Sequence, residues 1–137
     1  LLGEDYNLEY VDKSGAVLFG RSASGVPVVL EMCAHGLRRR WEEYYMISFE
    51  NGKLDLSLPA PMRRQDGGEL KIYWGGNEQN NPRVELPEIP PVWSMLAQAQ
   101  HFIDCVQHNK PTWSPASDAA KDLEVVEQFV KLYYNLK

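Results

Sequence analysis

The sequence predicts an α+β fold, with a mainly antiparallel open sheet of about six strands and helices on one face. Three observations support this prediction. The first two-thirds of the 137-residue chain alternates apolar and polar residues at the period of β-strands. Turn-forming residues separate these stretches, and the last third carries apolar residues at helical spacing. Strands followed by helices, with hairpins between the strands, are typical of this class.

Six segments have the alternation or the composition of strands, and we place them at 6–10, 16–19, 26–33, 44–49, 54–58 and 70–74. Between the fourth and fifth segments, Asn51-Gly52 suits the positive φ angles of a type I′ turn, so a hairpin is predicted there. Residues 75–91 are polar and then proline-rich, which predicts an irregular connector.

Two helices are predicted after the connector. The first carries apolar residues from Met95 to Val106 and should end near Asn109 and Pro111. The second should begin with Ser117 as its N-cap, because serine side chains accept hydrogen bonds from the free amides of a helix start. Its apolar residues form one predicted stripe: Leu123, Val126, Val130 and Tyr133. Its polar residues, including Gln128, are expected to face water.

The composition excludes several classes of protein. The formal net charge is -5, so no general basic field is expected for nucleic acid or an anionic membrane surface. No apolar run is long enough to span a bilayer. The two cysteines, Cys33 and Cys105, are expected to be free thiols in a reducing compartment, which favours the cytoplasm. A start at Leu1-Leu2-Gly3, without an initiator methionine, leads us to expect a piece of a larger protein.

One cluster has the spacing of a metal site. His101, Cys105 and His108 follow one another at i, i+4 and i+7 on the first predicted helix, an arrangement that zinc accepts. The alternative is a thiol buried as a small apolar group beside the helix stripe. We favour the buried thiol and therefore expect no bound metal. No serine, histidine and carboxylate set has the context of a nucleophilic site.

A basic and aromatic loop is the main candidate for binding a ligand. Arg39 lies in a run of three arginines before Trp41, and its guanidinium would suit a carboxylate, phosphate or sugar hydroxyls. Trp41 would stack on a sugar ring. A solvated loop paired with Glu42 and Glu43 is the alternative. Trp93 has a similar ambiguity, because it would serve either as a core anchor or as a stacking residue.

The order of several short motifs resembles a known family. The last third contains "HFIDCV", then "NKP", then "LEVVE", and upstream lie "VVLEMCAHG" and "WEEYYMISFENGKLDLSLP". Together they resemble the C-terminal part of the glucose-fructose oxidoreductase, inositol dehydrogenase and MocA family (Gfo/Idh/MocA), over roughly residues 8 to 137. Phe49 stands where the family usually has glycine.

The resemblance implies a two-domain NAD- or NADP-dependent dehydrogenase of sugars, polyols or related substrates. Residues 1–137 would be its single C-terminal domain, which shapes the substrate pocket and forms a homodimer through the sheet. The N-terminal Rossmann domain would be absent, since the chain has no Gly-x-Gly-x-x-Gly helix start, no Glu-Lys-Pro and no opening Asp-x-x-x-His. We therefore expect no catalytic or cofactor-binding residue here.

The candidate substrate contacts are therefore Arg39, Trp41, Trp93 and His35, and the resemblance favours this role for the aromatic residue of the loop. The alternative function is a non-catalytic binding or assembly module of the same fold, because a fold does not fix a function.

Overall fold

A computed structural model describes residues 3–32, 41–76 and 81–136 of the chain. Within them, seven strands precede two helices: β1 (Tyr6–Val11), β2 (Val17–Ser22), β3 (Pro27–Glu31), β4 (Glu43–Phe49), β5 (Gly52–Leu58), β6 (Glu69–Trp74), β7 (Arg83–Glu85), α1 (Ser94–His108) and α2 (Ala116–Tyr133). The strands form two antiparallel sheets, of three and four strands, so the predicted α+β class is confirmed. No helix in these ranges is long and apolar enough to cross a membrane.

The chain divides into two compact units. The first comprises Leu1–Gly36 and Pro111–Lys137, and the second comprises Leu37–Lys110. The first therefore contains the sheet β1-β2-β3 and helix α2, and the second contains the sheet β4-β5-β6-β7 and helix α1.

In the first unit, α2 packs against β1. Leu8 and Leu18 are buried and form the apolar centre of this small sheet. Phe129 and Tyr133 of α2 stack with their ring centroids 5.6 Å apart and lie over the turn at Gly15. Gly15 has a φ of 72°, a conformation that glycine adopts without the steric cost of a side chain, so it suits this tight turn.

The face that α2 turns towards the strands differs from the predicted stripe. Leu123 and Val126 are 66% and 52% exposed, whereas Gln128 is half-buried. The Leu8 backbone amide donates a hydrogen bond to Oε1 of Gln128 over 2.7 Å. The prediction that Gln128 faces water is therefore wrong, because an amide of β1 needs an acceptor on this side of the helix.

The predicted start of α2 is also wrong by two residues. Pro115 is the N-cap residue, in an extended conformation, and the helix begins at Ala116. Ser117 lies inside the first turn and makes no capping hydrogen bond. The end of α1 is as predicted: Asn109 has a left-handed φ of 51°, and its amide donates to the Cys105 carbonyl. Such a residue commonly terminates a helix.

The second unit is a four-stranded meander with α1 after it. The predicted hairpin is confirmed, since β4 and β5 pair from Glu43↔Leu58 to Phe49↔Gly52. The predicted type I′ turn is wrong, because neither Asn51 nor Gly52 has a positive φ angle. Gly52 instead lies in the ladder, where an added Cβ would stand only 2.5 Å from the Tyr73 carbonyl oxygen. Strand β7 lies in the segment predicted to be irregular.

Candidate functional site

One end of the second unit's sheet gathers the candidate ligand-binding residues. In an antiparallel meander, the start of β4, the end of β5 and the start of β6 lie at the same end of the sheet. Trp41 lies two residues before β4, and residues 59–68 connect β5 to β6 at this end. We call this end the aromatic end, defined by Trp41, Glu43, Tyr45, Arg64 and Trp93.

At the start of β4, one carboxylate is held by two aromatic side chains. Nε1 of Trp41 donates to one oxygen of Glu43 over 3.2 Å, and the Tyr45 hydroxyl donates to the other over 2.6 Å. The hydrogen bond to Glu43 raises the pKa of Tyr45, so its phenol stays protonated and keeps donating. The Trp41 side chain is fixed at its nitrogen while 54% of the residue stays exposed. An indole fixed in this way presents apolar surface to a ligand.

The connection between β5 and β6 lies against the start of α1. The Ser94 hydroxyl donates to the Pro61 carbonyl over 2.9 Å. The chain at Gly67 approaches the Ile89 carbonyl so closely that an added Cβ would lie 2.9 Å from it. The guanidinium carbon of Arg64 lies 4.3 Å from the centre of the Trp93 ring, a cation–π contact. The loop therefore brings an arginine onto the tryptophan that precedes α1.

The four sequence-predicted binding residues have different outcomes. Trp41 and Trp93 both belong to the aromatic end, Trp41 exposed and Trp93 half-buried. The Nε1 atom of Trp93 is buried without a hydrogen-bond partner among the described residues. His35 and Arg39 lie outside the described residues, so their roles stay predictions. Sequence reasoning missed Arg64, although an arginine pair in a proline- and glycine-rich loop between two strands was a usable signal.

A second polar cluster lies on one face of the same sheet, at the centre of β5. Asp55 is buried, and its Oδ2 accepts a hydrogen bond from Lys53 over 2.9 Å. The Lys53 ammonium also lies 4.6 Å from the centre of the Tyr73 ring. The contact with Lys53 lowers the pKa of Asp55, and the same contact raises the pKa of Lys53. Both groups therefore stay charged near neutral pH and are unsuited to proton transfer.

The histidines and the cysteine of α1 separate into two groups. Sγ of the buried Cys105 lies 3.5 Å from Nε2 of His101. His108 turns away to Asp104, with Nδ1 2.8 Å from a carboxylate oxygen, and Lys110 lies 3.0 Å from the other oxygen of Asp104. Among the residues that the structure describes, no group of three such side chains could hold a metal ion. The i, i+4, i+7 spacing alone therefore does not bring the three ligands together.

Comparisons with known proteins give one informative result. No protein-family model matches the chain, and no curated protein matches it. Its structure is similar to the crystal structure of an aldose-aldose oxidoreductase from Caulobacter crescentus complexed with glycerol, with a TM-score of 0.66 and 19% identity. The match covers 98% of this chain and 41% of that chain, so the present chain spans about two fifths of the length of that protein. At this identity, the likeness shows a shared fold.

Proposed function

We propose that this chain is the substrate-binding and oligomerisation part of an NAD(P)-dependent oxidoreductase of the Gfo/Idh/MocA family, acting on a sugar, polyol or related substrate. The observation that carries the proposal is the match of almost the whole chain to two fifths of an oxidoreductase of that family. The motif order in "HFIDCV", "NKP" and "LEVVE" supports it independently of the structure. That oxidoreductase is named for aldoses, which favours a hydroxyl-rich substrate.

The described residues do not fit a dinucleotide cofactor. A pyrophosphate is held by a glycine-rich turn that leads from a strand directly into a helix start. Here α1 follows Pro91, Val92 and Trp93, and α2 follows Ser114 and Pro115. When bound elsewhere in the protein, NAD(P) would supply the hydride acceptor or donor. This chain would supply the surfaces that bind and orient the substrate.

In this proposal, the aromatic end contacts the substrate. Trp41 presents an exposed ring that suits the apolar face of a sugar, and Glu43 fixes that ring through Nε1. Arg39 and His35, which belong to the same β3–β4 connection, would donate hydrogen bonds to hydroxyl or acid groups. None of these residues is assigned a proton-transfer role.

The proposal also includes a homodimer through a sheet. Tyr44 and Met46 are about three-fifths exposed, and both share one face of the four-stranded sheet with Asp55 and Lys53. Val84, opposite Tyr73 in the ladder, adds a third exposed apolar residue to this face. A two-fold pairing would cover the same apolar residues in both copies at once. Light scattering on the protein that includes the upstream residues should give a dimer mass, and a monomer mass would refute this part.

The function is tested by hydride transfer. The protein with its upstream residues should oxidise or reduce aldoses or polyols with NAD or NADP, whereas the 137-residue chain should show no turnover and no micromolar NADH affinity in calorimetric titration. In the longer protein, Trp41→Ala and Arg39→Ala should each raise the Michaelis constant more than they lower turnover.

The outcomes separate the two candidate functions. Tight NADH binding by the 137-residue chain would contradict the proposed division of roles. Ligand binding without any nicotinamide-dependent turnover in the longer protein would favour the alternative, a binding or assembly module. Unchanged kinetics in both variants would remove Trp41 and Arg39 from the substrate site.

A further inference from the structure

We infer that Arg64, stacked on Trp93, binds the oxyanion group of an acidic small molecule, either a carboxylate or a phosphate. The inference rests on the proposed function and names the substrate class that this site would take: a sugar or polyol derivative that carries one negatively charged group. Three features of the β5–β6 loop support it: the contact of Arg64 with the Trp93 ring, the absence of an ionic partner for Arg64 among the described residues, and the fixed position of the loop.

The stacking leaves the donors of Arg64 available. With Cζ 4.3 Å from the Trp93 ring centre, the guanidinium is held by its interaction with the ring face. A guanidinium has five N–H donors, and an aromatic ring provides no lone-pair acceptor for them, so the contact with Trp93 leaves donors available for hydrogen bonds. Arg64 is exposed, so these donors can reach a ligand in solution. Their fork geometry matches the two oxygens of a carboxylate or phosphate.

The adjacent arginine provides an internal contrast. Nε of Arg63 forms an ion pair with Asp66 over 2.6 Å, which satisfies Arg63 locally. Within residues 41–76 and 81–110, the structure gives Arg64 no carboxylate partner. A positive charge that is positioned by a ring and not neutralised by a neighbouring acid favours an external anion.

The loop that carries Arg64 is held at several points. The Ser94 hydroxyl fixes the Pro61 carbonyl at 2.9 Å, and Gly67 lies against the Ile89 carbonyl. A Cβ at Gly68 would lie 3.4 Å from the Leu58 side chain. These contacts position the loop before a ligand arrives, so less conformational entropy is lost on binding.

The test is an NMR titration of the 137-residue chain with three probes of similar size: sodium gluconate, glucose 6-phosphate and glucose. The reporter is the indole N–H signal of Trp93, assigned with a Trp93→Phe variant, because this group has no hydrogen-bond partner in the described structure. Gluconate and glucose 6-phosphate represent the carboxylate and the phosphate, and glucose is the neutral control. For at least one of the two anions, the dissociation constant should be about tenfold or more lower than that for glucose.

Matched variants localise the effect. Arg64→Gln should raise the dissociation constant of the preferred anion about tenfold or more, and Arg64→Lys should give an intermediate loss because it keeps the charge without the fork. Arg63→Gln changes the same residue type one position earlier and should change the dissociation constant of that anion less than twofold. The backbone amide spectrum of each variant shows whether its fold is retained.

Specific outcomes overturn the inference. Equal affinity for glucose and both anions would do so, and so would equal losses in the Arg63→Gln and Arg64→Gln variants. In that case, the proposed function still stands if the longer protein transfers hydride to neutral sugars. Conversely, anion binding that depends on Arg64, in a protein without hydride transfer, would support the site and contradict the proposed function.

Discussion

Replacing Gln128 with methionine tests the packing of α2 on β1. Methionine has similar length and shape but provides no comparable acceptor for the Leu8 amide, which donates to Gln128 over 2.7 Å. Leu8 is only 6% exposed, so water replaces the lost acceptor incompletely. An amide left without a partner costs about 1–3 kcal/mol when buried, and the added apolar contact of methionine offsets a part of this. We expect the free energy of unfolding to fall by about 1–2 kcal/mol.

The assay is urea unfolding followed by far-ultraviolet circular dichroism, with the midpoint read at constant slope. In a thermal scan, each kcal/mol lost lowers the melting temperature by roughly 3–5 °C for a chain of this size. Gln128→Glu keeps an acceptor oxygen and should recover most of the loss. Glu127→Met makes a similar change on the exposed neighbouring position and should stay within about 0.5 kcal/mol of the parent chain. Equal losses for Gln128→Met and Glu127→Met would refute the reasoning.

Three further predictions concern the strands and the turn between β1 and β2. Gly52→Ala should lower the free energy of unfolding by about 1–3 kcal/mol, because its Cβ would press on the Tyr73 carbonyl, and an unchanged urea midpoint would contradict this. Leu18→Ala should cost about 2–5 kcal/mol by leaving a cavity beside β1, measured in the same way; a loss below that range would mean that the site collapses. Hydrogen bonds, first from the Ser14 hydroxyl, lower the pKa of Asp12 from 3.8 to about 2. Because the pKa is lower in the folded chain, the Asp12 carboxylate stabilises this turn fully above about pH 4, and its contribution is lost as the pH falls towards 2. Asp12→Asn should therefore flatten the pH dependence of the protection of this turn's amides from hydrogen exchange.

The strands were predictable because their signal is local. Alternation of apolar and polar residues predicted β5 and β6, and the aromatic and apolar composition of residues 44–49 predicted β4. The Asn51-Gly52 pair predicted the hairpin between β4 and β5. The turn type was not predictable from Asn51-Gly52, because glycine serves either a positive φ angle or a close backbone approach. The position of the Tyr73 carbonyl on the neighbouring strand shows that Gly52 serves the close backbone approach. Strand β7, of three residues, is too short to produce a period.

The helix faces and the binding residues were less predictable for a different reason. Hydrophobic periodicity identifies an apolar stripe but not the neighbour that the helix meets. Gln128 lies on the packed side because β1 presents an amide there, and Leu123 remains exposed. Similarly, the pairing of Arg64 with Trp93 joins residues almost thirty positions apart through the close packing of a loop on a helix start. The sequence around Arg64 or around Trp93 therefore does not predict that the two residues are in contact.

The chemistry of the aromatic end indicates what kind of rate effect its residues can have. The hydrogen bond to Glu43 keeps the Tyr45 phenol protonated, and Nε1 of Trp41 donates to the same carboxylate. Contacts with a part of the substrate that does not change during the reaction, such as stacking on a sugar ring, stabilise the bound substrate and the transition state to similar extents. Contacts of that kind change the Michaelis constant without changing turnover. Under the proposed function, variants of Trp41 should therefore weaken substrate binding, while the hydride step would depend on other groups and should change little.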